Sequence, residues 1–487
     1  MKKSVNIRLN TILVGLVSFL PLALFFSYRP VISLGSSETM NFEFSIAELY
    51  LLIFAVVSLF DLKNFFKYYG KRLVPFIALP LYAGLSALWS PNHLRAVFTA
   101  GLLAVLIYSA LEINLILRRN ESLKNTFSRH LLRAAVVISL FCWVQCLLDV
   151  LGVSRASTGL CEGCVYGAFG FPHPNGFAIE PQFMGNLLLA PTLLAIYSLV
   201  FGDRLLYSRR FTRIIVAVFL TSTLFLTMSR GAIYAFLVGL LVIFLMRFPT
   251  IKYNKEKSNK TAWLIIPIVM GSFLISLTAQ GLFAQVSPTK DTFWTGVTKT
   301  IHQLSLGKID FRPEELKTPS PEAQDSKTPP QESQVAPTPQ DDTESKFTGY
   351  VEQSTSFRTQ LTKDALDVWD DSPTNLLFGT GLGSAGIKML EKDPELGIEK
   401  EIVQNQYAEI LLELGLVGAM LATAVFVATI AFGMTDFSKN PLLIGTSVAF
   451  LISLVFFSGL PNALHVYLFP LFLANPLAQR PGRHKEQ

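Results

Sequence analysis

Two arginines carry the clearest chemical promise in this chain. Arg230 stands in Thr227-Met228-Ser229-Arg230-Gly231, a tight connection between two apolar stretches, and Arg358 follows Ser356-Phe357 in a polar region. A guanidinium is planar, keeps its charge at physiological pH, and offers paired N–H groups that match the oxygens of a phosphate or diphosphate. Beside a membrane such groups also bind lipid headgroups or pair with carboxylates, and Arg95, at the start of another apolar stretch, reads that way.

Proton-transfer candidates are few. His173 lies in the turn Phe171-Pro172-His173-Pro174-Asn175-Gly176. Its imidazole could take a proton near neutrality, although a lone loop histidine is more often merely polar. Glu180 sits a few residues into the next apolar stretch, as a base, an acceptor-binding group, or a structural partner for an arginine at the same boundary. Gly381-Leu382-Gly383-Ser384-Ala385-Gly386 matches G-x-G-x-x-G, but no strand–turn–helix context makes it a dinucleotide site. Its glycines predict a close turn against neighbouring helices. There is no D-x-D, H-E-x-x-H or G-x-S-x-G, so no metal or cofactor is implied. Cys142 and Cys146 read as packing residues. Cys161 and Cys164 read as a local disulfide or free thiols, with a metal or redox site the lesser reading.

The elements that must position these residues are membrane spans. Of 487 residues, 51% are hydrophobic, concentrated in twelve segments at 9–27, 44–60, 73–89, 94–117, 131–151, 177–201, 211–228, 231–248, 262–284, 407–433, 441–458 and 462–475. About 20 apolar residues in a helix cross the hydrocarbon core, where backbone groups must bond within their own segment. The net charge is +6, and every second connection is basic, as in Lys63–Arg72, Arg118–Arg133, Arg204–Arg213 and Arg247–Lys260. The positive-inside rule puts these connections and both termini in the cytoplasm, and leaves Arg230, Arg358, His173 and Glu180 on the opposite face. The expected fold is an all-α polytopic bundle of about 12 spans with one long extracytoplasmic loop. Spans fill 1–284, the loop covers 285–404, three more spans fill 405–475, and 476–487 is a cytoplasmic tail. Within the loop, 313–346 is Pro-rich and nearly devoid of apolar residues, which predicts disorder. Leu361, Ala365, Val368 and Trp369 follow helical spacing and predict an amphipathic helix over 359–371, ended by Asp371-Ser372-Pro373.

Four stretches, in order, resemble the O-antigen ligase and O-antigen polymerase superfamily of bacterial membrane glycosyltransferases. They are Phe169 to Gly176, Ser229-Arg230-Gly231-Ala232, Arg358 to Gly383, and Gln404-Asn405-Gln406-Tyr407 continuing through Glu413 to Gly418. The resemblance implies inverting, metal-independent transfer of a glycan from a polyprenyl (undecaprenyl) diphosphate to a hydroxyl on lipid A core, another lipid-linked unit or a protein. The site would face outward from the bacterial cytoplasmic membrane. It assigns Arg230 and Arg358 to the diphosphate, and Asn175, Asn405, Tyr407 and Glu413 to substrate positioning. Ligases of this kind have histidine, the usual candidate base, at the position of Gln404. Glutamine cannot take a proton. Either Glu180 or His173 replaces it, or the chain belongs to a polymerase-like branch, or it is inactive. A transporter or flippase for a lipid-linked glycan, and a non-enzymatic assembly protein, are the competing readings. Against transport, the polar candidates cluster at span ends rather than at the bilayer midplane.

Overall fold

The computed structural model describes residues 2–26, 31–33, 41–43, 45–153, 173–200, 209–253, 263–286, 291–306, 308–309, 311, 350–396, 403–433 and 441–458. The segment expected at 462–475, the insert at 313–346, the tail at 476–487 and the Cys161–Cys164 pair lie outside the described residues. The described chain is helical, apart from a short antiparallel ladder of Val31–Ser33 with Asn41–Glu43. Its helices are α1 (Lys2–Ala23), α2 (Ile46–Ser58), α3 (Leu62–Tyr69), α4 (Val74–Leu85), α5 (His93–Arg119), α6 (Glu121–Val150), α7 (Pro181–Val200) and α8 (Arg210–Leu226). They continue as α9 (Arg230–Tyr253), α10 (Ile265–Val286), α11 (Phe293–Leu304), α12 (Tyr350–Trp369), α13 (Pro373–Phe378), α14 (Ala385–Lys392), α15 (Gln406–Gly433) and α16 (Pro441–Ser453).

Five of these, α5, α6, α7, α10 and α15, are long and apolar enough to cross a bilayer. Shorter apolar helices run over Asn10–Ala23, Arg230–Met246 and Pro441–Ser453. The chain is an integral membrane protein, with fewer full-length helices among its described residues than the twelve apolar segments suggest. Local sequence explains much of the difference. The segment at 44–60 yields α2, 13 residues opened by a Ser45–Glu48 capping box and followed by a 3₁₀ turn. The segment at 73–89 yields α4, 12 residues with Pro80 inside, which removes a backbone bond, and a second 3₁₀ turn after it. The segment at 441–458 stops being helical at Ser453.

Helix α7 is the axis of the bundle: every residue from Phe183 to Val200 is buried. It packs against α8, α9 and α16, and α9 lies along α16. Lipid is as apolar as leucine, so close packing rather than water exclusion holds such helices together. The outward positions are apolar where lipid would meet them, as at Leu237, Leu241 and Leu245 of α9.

The glycine-rich stretch makes the close turn expected of it, and the partner is a kink in α15. Gly415 has φ 63° and ψ −168°, which interrupts the helical ladder. The carbonyls of Leu412, Glu413 and Leu414 take other donors: Thr380 N at 2.8 Å, Gly381 N at 2.9 Å and the Tyr82 hydroxyl at 3.0 Å. Such groups must be satisfied, and a kink is tolerated where neighbours supply the bonds. The loop is tied to the α4–α5 connection by Leu382 N to Ser86 Oγ at 3.0 Å and Ser90 Oγ to the Leu382 carbonyl at 2.9 Å.

The amphipathic helix is longer than its apolar spacing suggests. It begins at Tyr350, so Arg358 lies within α12 rather than before it. Leu361, Ala365 and Val368 are buried together with Ala385 and Met389 of α14 and Ala408 and Leu412 of α15. Asp371-Ser372-Pro373 ends one helix and starts the next: Ser372 Oγ accepts from Asn375 N at 3.1 Å, with Pro373 in the first turn of α13.

Candidate active site

Five chain segments meet at one end of the bundle: the start of α7, the α8–α9 hairpin, α12, the entry to α15 and the exit from α16. Residue Phe456, in the non-helical exit, is the hub. Its carbonyl accepts from Arg358 Nη1 at 3.3 Å and from Gln182 Nε2, while Gln182 Oε1 accepts from Arg358 Nη2 at 3.3 Å. Its side chain lies against Gly231, where an added Cβ would sit 2.6 Å from Phe456 Cβ. Its ring centroid is 6.1 Å from that of Tyr234. One residue therefore joins Arg358 to the Ser229-Arg230-Gly231 hairpin.

Arg230 is the first residue of α9 and is half-buried. The N-terminus of a helix presents unbonded N–H groups and the positive end of its dipole, a natural seat for an anion. Met228 and Gln404 are two non-glycine residues with positive φ, 54° and 59°. Such strain costs about 1–3 kcal/mol and persists where packing enforces it, often at functional sites.

Gln404 lies at the mouth of α15. Its N–H donates to Ser458 Oγ at 2.8 Å, and Gln406 N donates to the Leu454 carbonyl at 2.9 Å. The exit from α16 thus fixes Gln404 and Arg358 on one strip of backbone, residues 454–458. Beneath Gln404 lies Glu409, 1% exposed, whose Oε2 accepts from Val403 N at 3.2 Å.

The expected substrate-positioning residues serve the protein's own architecture in this structure. Asn405 Oδ1 caps α15, accepting from Tyr407 N at 3.1 Å and Ala408 N at 3.3 Å. The Tyr407 hydroxyl donates to the Leu451 carbonyl at 2.8 Å. Glu413 is buried and accepts from Ala385 N at 3.1 Å, with Arg95, also buried, as an electrostatic neighbour. Asn175 donates to the Ala178 carbonyl at 2.6 Å and accepts from Gln145 Nε2 at 3.3 Å, holding its turn against α6. Glu180 is exposed and forms no ion pair with a described residue, so among the described residues it is not paired with Arg95, Arg230 or Arg358. Cys142 and Cys146 are both fully buried in the bundle.

His173 is an unpromising base. Its Nε2 has no solvent contact, and burial pushes its pKa from 6.5 down to about 4. The neutral ring is a weak acceptor at pH 7. Stability should be flat above pH 6.5, where native and unfolded forms are both neutral. Between pH 6.5 and about 4 the unfolded chain takes a proton that the native chain refuses, so stability falls on acidification. Allowing for the partial exposure of the residue, the loss is roughly 2 kcal/mol. Melting of detergent-solubilised wild type and His173→Gln across pH 4–8 checks this, because the variant lacks that slope. Parallel curves would show that His173 is not held neutral.

Sequence reading missed Gln182, Phe456, Ser458 and Glu409. Gln182, a polar residue opening an apolar stretch beside Glu180, was a usable signal. Phe456 acts through its carbonyl and its contact with glycine, which no residue type announces.

No curated protein matches the chain. Residues 215–423 match the family model described as O-antigen ligase. That stretch contains Arg230, Arg358, Gln404, Glu409 and Glu413, and it ends before the α16 exit that joins them. Over this stretch, somewhat under half of its length, the chain is similar to the O-antigen ligase family.

Proposed function

We propose that this protein is a glycosyltransferase that moves a glycan from a polyprenyl diphosphate to an acceptor hydroxyl at the outer face of the bacterial cytoplasmic membrane. The carrying observation is the convergence of Arg358 and the Arg230 end of α9 on Phe456. As the anomeric carbon–oxygen bond breaks, negative charge grows on the departing diphosphate. Fixed guanidinium and helix N–H groups stabilise that charge more in the transition state than in the ground state. Attack from the opposite face inverts the anomeric centre, with no metal or nucleotide in the reaction. In this reading the chain crosses the bilayer about 12 times, both termini are cytoplasmic, and 285–404 forms the outer loop.

Two concave surfaces of the protein suit a lipid-linked sugar. A cleft of about 910 Å³ beside the glycine turn is lined by the rings of Tyr82 and Trp89 and by Asp371, Asn375, Lys388 and Glu391. It shares Leu85 with an apolar groove of about 560 Å³ between α3–α4 and α5. Aromatic faces with mixed polar groups suit sugar rings, and an apolar groove suits an isoprenoid or acyl chain.

The test is to incubate purified protein with a polyprenyl-diphosphate oligosaccharide and candidate acceptors, lipid A core among them. One added unit on the acceptor marks a ligase, and a ladder of products marks a polymerase. Release of no diphosphate and formation of no product with any acceptor, in vesicles that instead move the lipid-linked glycan across the bilayer, would replace transfer with transport.

A further inference from the structure

We infer that Gln182 is a positioning residue of the transfer site: its neutral amide aims the Arg358 guanidinium without placing a negative charge beside it. This rests on the transferase reading above. Pro181 opens α7, and Gln182 is its second residue, half-buried at the same end of the bundle as Arg230 and Arg358. Three hydrogen bonds close a ring there. Gln182 Nε2 and Arg358 Nη1 both donate to the Phe456 carbonyl, and Arg358 Nη2 donates to Gln182 Oε1. The two arginine bonds are each 3.3 Å. The Phe456 carbonyl is open to side chains because it lies past Ser453, the last residue of α16. Its two lone pairs take the two donors. Bonds from both Nη atoms to two acceptors fix the plane of the guanidinium, which a single contact leaves free to turn.

The ring selects an amide. Toward the Phe456 carbonyl the side chain must donate, and toward the guanidinium it must accept. A carboxylate of the same length only accepts, so one of its oxygens would oppose the carbonyl while its charge offset that of Arg358. Glu180, two residues earlier, is exposed and forms no ion pair with Arg358. Helix α7 is also registered against the other arginine. About one turn below Gln182, a Cβ added at Gly185 would lie 2.8 Å from Ala232 Cβ and 2.9 Å from Ser229 Cβ, so the bare glycine lets α7 press on the hairpin that carries Arg230. Phe456 closes the circuit against Gly231. The first turn of α7 therefore sets Arg358 relative to Arg230, and the placing of both charges on one diphosphate decides how well its developing charge is met.

The test compares Gln182→Glu with Gln182→Ala in purified, detergent-solubilised protein. Turnover on a polyprenyl-diphosphate oligosaccharide, binding of undecaprenyl diphosphate and melting temperature are measured on each. Gln182→Ala keeps the charge of Arg358 but frees its direction, and is expected to lower kcat about 10-fold with little change in KM. Gln182→Glu is the closer match in shape, yet it is expected to be the worse enzyme, down about 100-fold or more. It should also bind undecaprenyl diphosphate more weakly than Gln182→Ala, while melting no lower. A residue that only fills space gives the opposite order. In an Arg358→Ala background the two substitutions are expected to converge, because no guanidinium is left to aim or to neutralise. Gln182→Glu at least as active as Gln182→Ala overturns the inference. So does a glutamate penalty that persists unchanged without Arg358, which marks direct repulsion of the diphosphate. Both results leave the transferase reading intact. A wild type that binds undecaprenyl diphosphate but yields no product with any acceptor overturns that reading instead, and the order of binding among the variants still decides the role of Gln182.

Discussion

Arg230→Ala and Arg358→Ala are each expected to reduce glycan transfer by about 10²–10³-fold, the usual cost of removing one pre-positioned donor to a developing anion. Protein level in the membrane should not change. Both side chains are half-buried at the end of the bundle, not in the packed interior around α7. The two losses differ in character. Arg358 is held by Gln182 and the Phe456 carbonyl, so its direction is fixed before substrate arrives. Removing it deprives the transition state of a rigid donor and should lower kcat more than it raises KM. Arg230 shares its place with the N-terminus of α9, so some anion affinity survives its loss. Lysine at 358 restores charge but not the paired N–H geometry, and should recover only part of the rate. The measurement is turnover of purified variants on a polyprenyl-diphosphate oligosaccharide, with melting temperature as the folding control. Full activity in either alanine variant would remove the diphosphate site from this end of the bundle.

Gly415→Ala is expected to destabilise the protein by about 3 kcal/mol or more, combining left-handed backbone strain with overpacking. Gly415 has φ 63°, and a Cβ there would lie 2.5 Å from the Leu377 carbonyl carbon and 2.6 Å from Gly379 N. These neighbours are backbone, which cannot rotate away. Shifting them would break the bonds from Thr380 and Gly381 to the Leu412 and Glu413 carbonyls, leaving four polar groups unpaired inside the bundle. Activity should go with stability, because the same kink sets the direction of the first turns of α15, where Gln404 and Glu409 are anchored. Gly271→Ala is the control: nothing lies within 4 Å of its added Cβ, and stability should stay within about 1 kcal/mol of wild type. The two melting temperatures in detergent decide the matter. A Gly415→Ala protein that melts with the wild type would mean that the turn and the kink are not locked together.

The sequence alone determined the solvent and suggested a chemistry. Long apolar runs can satisfy their backbone in lipid only as helices, so the membrane class follows from composition. Guanidinium beside a span end is suited to phosphate wherever the chain takes it, so Arg230 and Arg358 stood out as candidate anion ligands, and the fold brings both to Phe456. Motif order carried the resemblance that the family model repeats over 215–423, and the apolar spacing of Leu361, Ala365 and Val368 marked a helix face that the fold buries. What the tertiary structure decided is which polar groups are already spent. Asn175, Asn405, Tyr407 and Glu413 look in sequence like groups for a substrate, yet each is bonded within the protein. His173 looks like a base until its burial is seen. Hydrogen-bond satisfaction and desolvation depend on atoms distant in the chain: Gln182, Arg358, Gln404 and the backbone of 454–458 come together only through packing. A residue's type states what it can do, and its neighbours in space determine whether it is still able to do it.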